Sequence, residues 1–306
     1  MPQTAYLVTG SAFVDVDDPG SGLGNPFAVV LGGDVPTWDL ERRRTVARRT
    51  GTPETVFVNA LRGSQLEVTV LTPTGQELGA CAHGFIGAVH TLAATGALAS
   101  GDEVEIKTSA TASAVASVKP GDVVMLRFVS RPPRRADDLG PALTGIFPLP
   151  VQRPGSTLEI LSVGSPKLTV EVTPETFIQL RTRLHRLDFD HLLHLQRTAE
   201  INGVHLFCRD PETLLPAHSI QVNAYLGEDL MIDRATGVSN AAQVSADPYV
   251  QPGQQVQIAQ YSQQGCTAIL TIIKGHRGEV QVGGAAALTS RRPADDGAAP
   301  SASDQL

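Results

Sequence analysis

The 306-residue sequence predicts an α+β fold made of two similar halves in tandem. Short runs rich in β-branched and aromatic residues, bounded by Gly, Pro and Asp, recur along the chain, and such runs are typical of strands. Each half also contains one helical segment of small residues without charge, and each segment follows a polar turn that contains glycine. This repeated pattern favours two domains, each with strands around a central helix, without a repeat of the sequence itself.

The first half is predicted to extend over residues 1–129, with a strand from the C-terminal part of the chain as a candidate to complete it. Its predicted strands lie in "AYLVTGSAFVDV", "PFAVVL", "ETVFVNA", "QLEVTVLTPTG", "DEVEIKTS" and "DVVMLRFVS". In "TWDLERRRTVARRTG", Thr37 is a candidate N-cap and Gly51 a candidate C-terminal glycine. The segment "GFIGAVHTLAATG", Gly84 to Gly96, is apolar on every side and predicts a buried helix.

The second half is predicted to extend over residues 130–287. Its predicted strands lie in "TLEILSVG", "KLTVEV", "NGVHLFC", "HSIQVNAYL", "QQVQIAQYS", "TAILTIIKG" and "EVQVGGAAAL". Thr173 and Pro174 predict the start of one helix, and "DRATGVSNAAQVSA", residues 233–246, predicts a turn that leads into the second small-residue helix. The tail, residues 288–306, lacks periodicity and is predicted to be disordered.

Composition and charge exclude several classes of function. The net charge is -7 and only 18% of the residues are charged, so no electrostatic attraction to nucleic acid or to an anionic membrane is expected. No stretch has the roughly 20 apolar residues of a membrane span, and no basic segment followed by an apolar run opens the chain, which predicts a soluble, cytoplasmic protein. The three cysteines are far apart, which predicts free thiols. No glycine-rich nucleotide motif and no serine-hydrolase elbow occurs.

Helix N-termini present unpaired N–H groups, so the polar turns at residues 81–85 and 233–238 are candidate sites for a small carboxylate. The reactive side chains in or near them are Glu54, Cys81, His83 and Asp233. Each also has a structural interpretation: Glu54 as a surface residue, Asp233 as an N-cap, His83 as a turn histidine and Cys81 as an inert buried thiol. The pattern alone leaves both interpretations open.

Two further features have structural interpretations. The arginines between residues 42 and 49 are not interleaved with aromatic residues, which favours a solvated helix face over a nucleic-acid site. His191 and His194 lie three residues apart, but no carboxylate or cysteine completes a metal site at ligand spacing.

Four blocks in order give a resemblance to a known family. They are "GNP", "PETVFV", "ELGACAHGFIGA" and "IDRATGVSNAA", within residues 5–285. Together they resemble the PhzF-like family of phenazine biosynthesis. That resemblance implies a diaminopimelate-epimerase-like fold: two similar domains, each with a barrel-like sheet around a central helix. It also implies a homodimer without cofactor or metal.

The resemblance also implies roles for particular residues. Glu54 matches the family's acid/base glutamate, which moves a proton between carbons of a small unsaturated carboxylic acid. His83 and Asp233 match residues that hold the substrate and help to move protons. Further lining residues are expected at the same two turns; they are Cys81, Ala82, Gly84, Gly237, Val238 and Ser239.

The chain departs from the family pattern beside these residues. The family's G-H-P reads Ala82-His83-Gly84, and its D-P-x-T-G-S-A reads Asp233-Arg234-Ala235-Thr236-Gly237-Val238-Ser239. The retained trio with altered neighbours predicts the family's proton transfer on a different substrate. We therefore expect an isomerase of a small cyclic carboxylic or amino acid in bacterial antibiotic biosynthesis, acting on a phenazine precursor or a pyrroline carboxylate.

Two alternatives remain open. The stretch "CAHG" is similar to C-G-H-G of proline racemases, so Cys81 could serve a one-cysteine epimerase, racemase or dehydratase. The second turn contains no cysteine, which disfavours a two-thiol mechanism. The other alternative is a protein of this family that binds a small molecule without turnover.

Overall fold

The computed structural model describes residues 4–15, 24–109, 113–224, 231–263 and 265–294. Within these residues it contains strands and α-helices in the mixed order that the sequence predicts. The strands are β1 (Tyr6–Val14), β2 (Asn25–Leu31), β3 (Thr55–Arg62), β4 (Gln65–Leu71), β5 (Glu103–Thr108), β6 (Ser113–Val118), β7 (Val124–Val129), β8 (Arg134–Arg135), β9 (Glu159–Leu161), β10 (Lys167–Glu171), β11 (Val204–Arg209), β12 (Pro216–Asn223), β13 (Met231–Asp233), β14 (Gln255–Ser262), β15 (Gly265–Lys274) and β16 (Glu279–Pro293). The helices are α1 (Leu40–Thr50), α2 (Ala82–Ala94), α3 (Gly140–Ile146), α4 (Pro174–Arg181), α5 (Phe189–Ala199) and α6 (Gly237–Ala246).

The chain divides into two compact units. Unit 1 comprises Met1–Phe128 with Gly283–Leu306, and unit 2 comprises Val129–Val282. The first boundary lies within one residue of the predicted one, whereas the second lies earlier than residue 287 because the end of the chain returns to unit 1.

Unit 1 is a closed barrel around a helix. Its strands follow the order β1 to β7 and then β16, and β16 also pairs with β1, so eight strands form a ring. Helix α2 packs against β1, β2, β3 and β6 inside this ring. Its residues Ala82–Leu92 are all buried, which confirms the prediction from an apolar surface without charge.

The predicted disordered tail is wrong for its first residues. Strand β16 continues to Pro293 and pairs with β1, with Ser290 opposite Thr9 and Pro293 opposite Tyr6. These residues do not alternate clearly between apolar and polar, and the strand forms because β1 offers an unpaired edge. Residues 295–306 of the predicted tail lie outside the described residues.

One helix boundary also differs from the prediction. Helix α1 is capped by Asp39, whose side chain accepts from the N–H of Arg42, so the predicted cap Thr37 is wrong. Thr37 Oγ1 instead donates to the carbonyl of Asp34 in the preceding turn. Gly51 has a φ of 68° and ends α1 as predicted.

Unit 2 places a sheet around α6 and three helices on the other face of the sheet. The strand order is β16-β15-β14-β12-β11-β10-β9-β8, with β13 on β12. Helix α6 contacts β9, β12 and β15. The outer face of the sheet forms the apolar core with α3, α4 and α5, and the predicted Thr173 cap and Pro174 begin α4. None of the described helices is both long and apolar enough to cross a bilayer.

Close packing of α2 against β2 depends on a glycine. A Cβ added to Gly87 would lie 2.5 Å from ring atoms of Phe27, which is completely buried. We expect Gly87→Ala to lower the free energy of unfolding by about 1–3 kcal/mol through overpacking. Denaturant titration measures this change.

The matched control is Gly140→Ala at the first residue of α3. A Cβ there would lie 3.5 Å from its nearest neighbour, and Gly140 already has helical φ and ψ angles. This variant is expected to be neutral or more stable by up to about 1 kcal/mol. Equal stability of both variants would contradict the packing argument.

Candidate active site

Glu54 lies at the end of the turn that joins α1 to β3. The turn is fixed by hydroxyl groups: Thr52 Oγ1 donates to the carbonyl of Glu54 at 2.9 Å and also contacts Thr50 Oγ1. Only 7% of Glu54 is exposed, so the interpretation as a surface residue is wrong. A buried glutamate without function is uncommon, because burial of a carboxylate has to be offset by partners.

His83 is the partner of this carboxylate. It is the second residue of α2, is 5% exposed, and its Nε2 lies 2.8 Å from Glu54 Oε2. Despite this distance, no donor among the described residues makes a well-directed hydrogen bond to Glu54 Oε2. The contact is therefore a close charge pair that leaves the oxygen able to accept a proton from another group.

Asn25 holds the other ring nitrogen of His83. It is completely buried at the start of β2, and its Nδ2 lies 3.2 Å from His83 Nδ1. With neutral His83 the amide N–H donates to Nδ1, which places the ring proton on Nε2 beside Glu54. Asn25 belongs to the "GNP" block, for which no role was predicted; its signal in the sequence was a polar residue at the start of an apolar strand.

The charge of His83 follows from these neighbours. Burial disfavours the imidazolium and acts to lower the pKa, whereas Cys81, when it is ionised, and the Glu54 carboxylate act to raise it. The net result is a His83 pKa well above its usual value. The protonated ring is therefore favoured while Glu54 is ionised, and in that form the Asn25 amide has to turn so that its Oδ1 accepts from Nδ1–H.

We expect Asn25→Asp to extend activity to higher pH. A carboxylate in place of the amide stabilises the imidazolium further, so the alkaline limb of the pH–rate profile should shift upward by about one pH unit or more. Initial rates measured across the alkaline range test this shift. Asn59→Asp, on β3 beside Thr69, is the matched control and should leave the limb in place.

Cys81 is the N-cap residue of α2, and its side chain makes no capping hydrogen bond. Its Sγ lies 3.7 Å from both Nδ1 and Nε2 of His83. Burial is the main reason that the pKa of the Cys81 thiol is raised. Cys81 is thus a neutral thiol beside the charge pair, which favours a lining role over that of a base at neutral pH.

The departure at Gly84 has a steric explanation. A Cβ added at Gly84 would lie 2.8 Å from Val56 Cγ2 and 3.0 Å from Cys81 Sγ. The side chains of Cys81 and Val56 therefore occupy the space that a larger residue at position 84 would need. Ala82 is 2% exposed and lies in the same first turn of α2.

The donor atoms of Glu54, Cys81 and His83 all lie within 4.8 Å of one another, a set that suits zinc by chemical type. However, Cys81 Sγ is 3.7 Å from both ring nitrogens of His83, so the sulfur lies over the ring and not along the lone pair of either nitrogen. An ion shared by all three residues would first require rotation of the Cys81 side chain.

Asp233 belongs to unit 2 and ends β13. Its carboxylate closes the turn before α6, accepting from Thr236 Oγ1 at 2.6 Å and from the N–H of Ala235 at 3.2 Å. The N-cap of α6 is Thr236, so the N-cap interpretation of Asp233 is wrong. Asp233 stabilises the turn that precedes the helix.

Gln260 is a second residue that the sequence analysis missed. Its Nε2 donates to the carbonyl of Asp233 at 2.8 Å, and its Oε1 accepts from the N–H of Thr236 and from Asn240 Nδ2. Gln260 is completely buried on β14 and lies on the same face of the strand as the buried residues Val256 and Ile258. A glutamine at an inward position of an alternating strand was the signal in the sequence.

The predicted site residues therefore form one group in each unit. In unit 1 the structure brings together Glu54, Cys81 and His83, with Ala82 and Gly84 beside them. In unit 2 the predicted residues Gly237, Val238 and Ser239 form the buried first turn of α6, next to the Asp233 turn. Their roles in catalysis and binding stay predictions.

Comparisons with known proteins agree with this architecture. The sequence profile of a family described as phenazine biosynthesis-like protein matches residues 12–175, more than half of the chain. A comparison with curated protein sequences finds no match.

Several solved structures share the fold. A phenazine biosynthesis protein of the PhzF family from Bacillus anthracis is 17% identical, with a TM-score of 0.74 over 95% of this chain and 98% of the other. A predicted epimerase from Pseudomonas aeruginosa is 17% identical, with a TM-score of 0.70 over 95% and 99%. A hydroxyproline epimerase from Agrobacterium vitis with bound trans-4-hydroxy-L-proline is 15% identical, with a TM-score of 0.60 over 95% and 92%. The diaminopimelate-epimerase-like fold predicted from the sequence is confirmed.

Proposed function

The chain belongs to the phenazine biosynthesis-like protein family, and we propose that it is an isomerase that shifts a double bond in a small unsaturated cyclic carboxylic or amino acid. The observation that carries this proposal is the buried Glu54 carboxylate, 2.8 Å from His83 Nε2 and without a well-directed donor on that oxygen. An enclosed carboxylate of this kind is suited to take a proton from one carbon and to donate one to another.

In the proposed reaction, Glu54 removes a proton from one carbon of the substrate. The electrons of the broken C–H bond move into the conjugated system, so the double bond shifts and charge develops toward the substrate carboxylate or imine. The protonated Glu54 then donates a proton to a second carbon, and its carboxyl proton exchanges with solvent between the two transfers. No net oxidation or reduction occurs, and the chain supplies both the base and the acid.

His83 has an electrostatic part in this scheme. While Glu54 is ionised, the imidazolium is its counter-ion. Once Glu54 has accepted the proton, the charge on His83 becomes available to stabilise the negative charge that develops on the substrate. The raised pKa of His83 keeps this cation present at neutral pH.

The substrate class rests on size and charge. The turns before α2 and α6 each begin a buried helix of small residues, and such N-termini bind carboxylates. The candidates we propose are a dihydro-hydroxyanthranilate and a pyrroline carboxylate, as in bacterial antibiotic biosynthesis. Arg234, in place of the family's proline, favours a substrate other than the phenazine precursor.

The test is proton exchange in ²H₂O, followed by ¹H NMR, across a panel of unsaturated cyclic acids with 4-hydroxyproline as a saturated member. Exchange and isomer formation with an unsaturated acid are expected. A lack of both exchange and isomer formation with every acid would instead favour the binding protein without turnover.

A one-cysteine epimerase is the second candidate, favoured by one observation: Cys81 Sγ lies 3.7 Å from both nitrogens of His83. The raised pKa of the thiol argues against it, because little thiolate is then present at neutral pH. We expect Cys81→Ala to keep the exchange rate within about threefold, since the cavity it leaves is small. A loss of exchange in Cys81→Ala, with exchange retained in Glu54→Gln, would establish the thiol mechanism instead.

A further inference from the structure

A cavity lies in unit 2, at the C-terminal end of α6. We propose that this cavity binds a small organic cation with an N–H-bearing head and an apolar body. The cavity has a volume of about 240 Å³. It lies between the strands β9 to β11 and the last turn of α6. Residues that matter for recognition are Glu159, Thr169, Phe207, Gln243, Asp247 and Tyr249. We call it the cation pocket.

The arginine in the cation pocket is already neutralised. Arg209 Nη1 donates to Asp247 Oδ2 at 2.7 Å, and its Nε lies 3.3 Å from Glu171 Oε1. The side chain of Asp247 is completely buried, and only 10% of the Arg209 side chain is exposed. This network forms the wall between the cation pocket and a neighbouring cavity, and it leaves no unpaired positive charge to attract an anion.

Gln243 supplies an unused acceptor. Its Nε2 donates to Asp247 Oδ2 at 2.8 Å, which directs its Oε1 away from that carboxylate. Gln243 is 2% exposed, and its Oε1 has no hydrogen-bond partner among the described residues. A buried carbonyl oxygen without a donor is costly. This oxygen is shielded from solvent, so a ligand N–H reaches it only when the Gln243 side chain turns toward the cavity, and that contact would remove the penalty.

Glu159 supplies an unused negative charge. Its backbone pairs with Arg135 and Thr169, while its partly buried carboxylate makes no ion pair or hydrogen bond to any residue that the structure describes. The C-terminal end of α6 adds the negative pole of the helix dipole to the same cavity. Both contributions favour a cation over a neutral ligand.

Two aromatic rings define the remainder of the ligand. Phe207 and Tyr249 line the cation pocket, and the guanidinium of Arg209 lies 5.2 Å and 4.8 Å from their ring centroids. Both rings give the cavity an apolar wall, which suits the alkyl part of the ligand. At about 240 Å³ the cavity is smaller than the pockets of roughly 300–1,000 Å³ that take drug-sized molecules, so the ligand is small.

The experiment is calorimetric titration of the full chain with n-propylammonium chloride at constant ionic strength. The same titration with n-propanol tests for the apolar body alone, sodium propionate tests for the opposite charge, and sodium chloride tests for ionic strength. Saturable binding of propylammonium, with none for the other three, is the expected result.

Glu159→Gln is the decisive variant, because it removes the charge while the shape and the backbone pairing stay. We expect it to weaken propylammonium binding by about tenfold or more. Glu103→Gln, an exposed glutamate on β5 of unit 1, is the matched control and should bind as the wild type does. Gln243→Met, checked by its melting temperature, should also weaken binding.

Three results would overturn the proposal: no saturable binding of propylammonium, equal binding of propanol, or unchanged affinity in Glu159→Gln. Since the side chain of Glu159 makes no bonds in the protein, a folding defect does not complicate this last result. The proton-exchange assay tests the proposed isomerase independently, so each proposal can fail while the other stands.

Discussion

Glu54→Gln is expected to lower the rate of proton exchange with the accepted substrate by about 10³-fold, within the 10²–10⁴-fold range of general acid–base catalysis. The amide keeps the volume of the side chain but cannot take up a proton from carbon. Glu54 is 7% exposed and contacts His83, so the lower rate is expected to come from the missing base and not from a change at the protein surface. Single-turnover exchange in ²H₂O, followed by ¹H NMR, measures the rate.

The control for this substitution is Glu77→Gln. Glu77 is exposed in the same unit, where it pairs with Leu71 in an isolated bridge. It should keep the wild-type rate. Substrate affinity, measured by calorimetry, should change much less in Glu54→Gln than the rate does. Exchange at the wild-type rate in a folded Glu54→Gln protein would exclude Glu54 as the base.

His83→Gln is expected to lower the exchange rate by about 10²-fold and to abolish the alkaline limb of the pH–rate profile. In the wild type, the rate should fall as pH rises through the raised pKa of His83, because the imidazolium that stabilises the developing charge is then lost. His276→Gln, an exposed histidine of unit 2, serves as the control and should keep the wild-type rate.

The same group makes stability depend on pH with a defined sign. Because the folded pKa of His83 lies above the unfolded value of about 6.5, the folded state binds the proton more tightly. This contribution is fully present below about pH 6.5 and is lost as pH rises through the folded pKa. The difference in free energy of unfolding between wild type and His83→Gln should therefore decrease from neutral to alkaline pH. A difference that grows with rising pH would show that His83 is buried in its neutral form.

The sequence predicted the central helices because their residue types permit little else. A segment such as Gly84–Gly96, apolar on every side, is stable only when buried all round. Its partner in unit 2 follows the same rule, so the tandem architecture could be read before any contact was known. Glu54, Cys81 and His83 were candidates because they are reactive side chains in or near the first polar turn, and the resemblance then assigned roles to Glu54 and His83.

The supporting residues could not be found in this way. Asn25 lies 58 positions from His83, and Gln260 lies 27 positions from Asp233, so neither pairing leaves a local pattern. The sequence also could not predict whether the Cys81 thiol is ionised. Ionisation of a thiol depends on burial and on nearby charges, and both follow from packing. The predicted tail failed because residues 288–293 acquire their strand partner only when β1 is in place.

The sequence by itself determined two small-residue helices, each after a polar turn, and the chemical groups those turns carry. Local periodicity and residue type are enough for such features, because burial and helix capping act over a few neighbouring residues. Only the tertiary structure decided which group faces Glu54, which residue holds His83 and where the cation pocket lies. Those features depend on residues that are distant in the chain and close in space, and charge and hydrogen-bond energies are set by that distance in space.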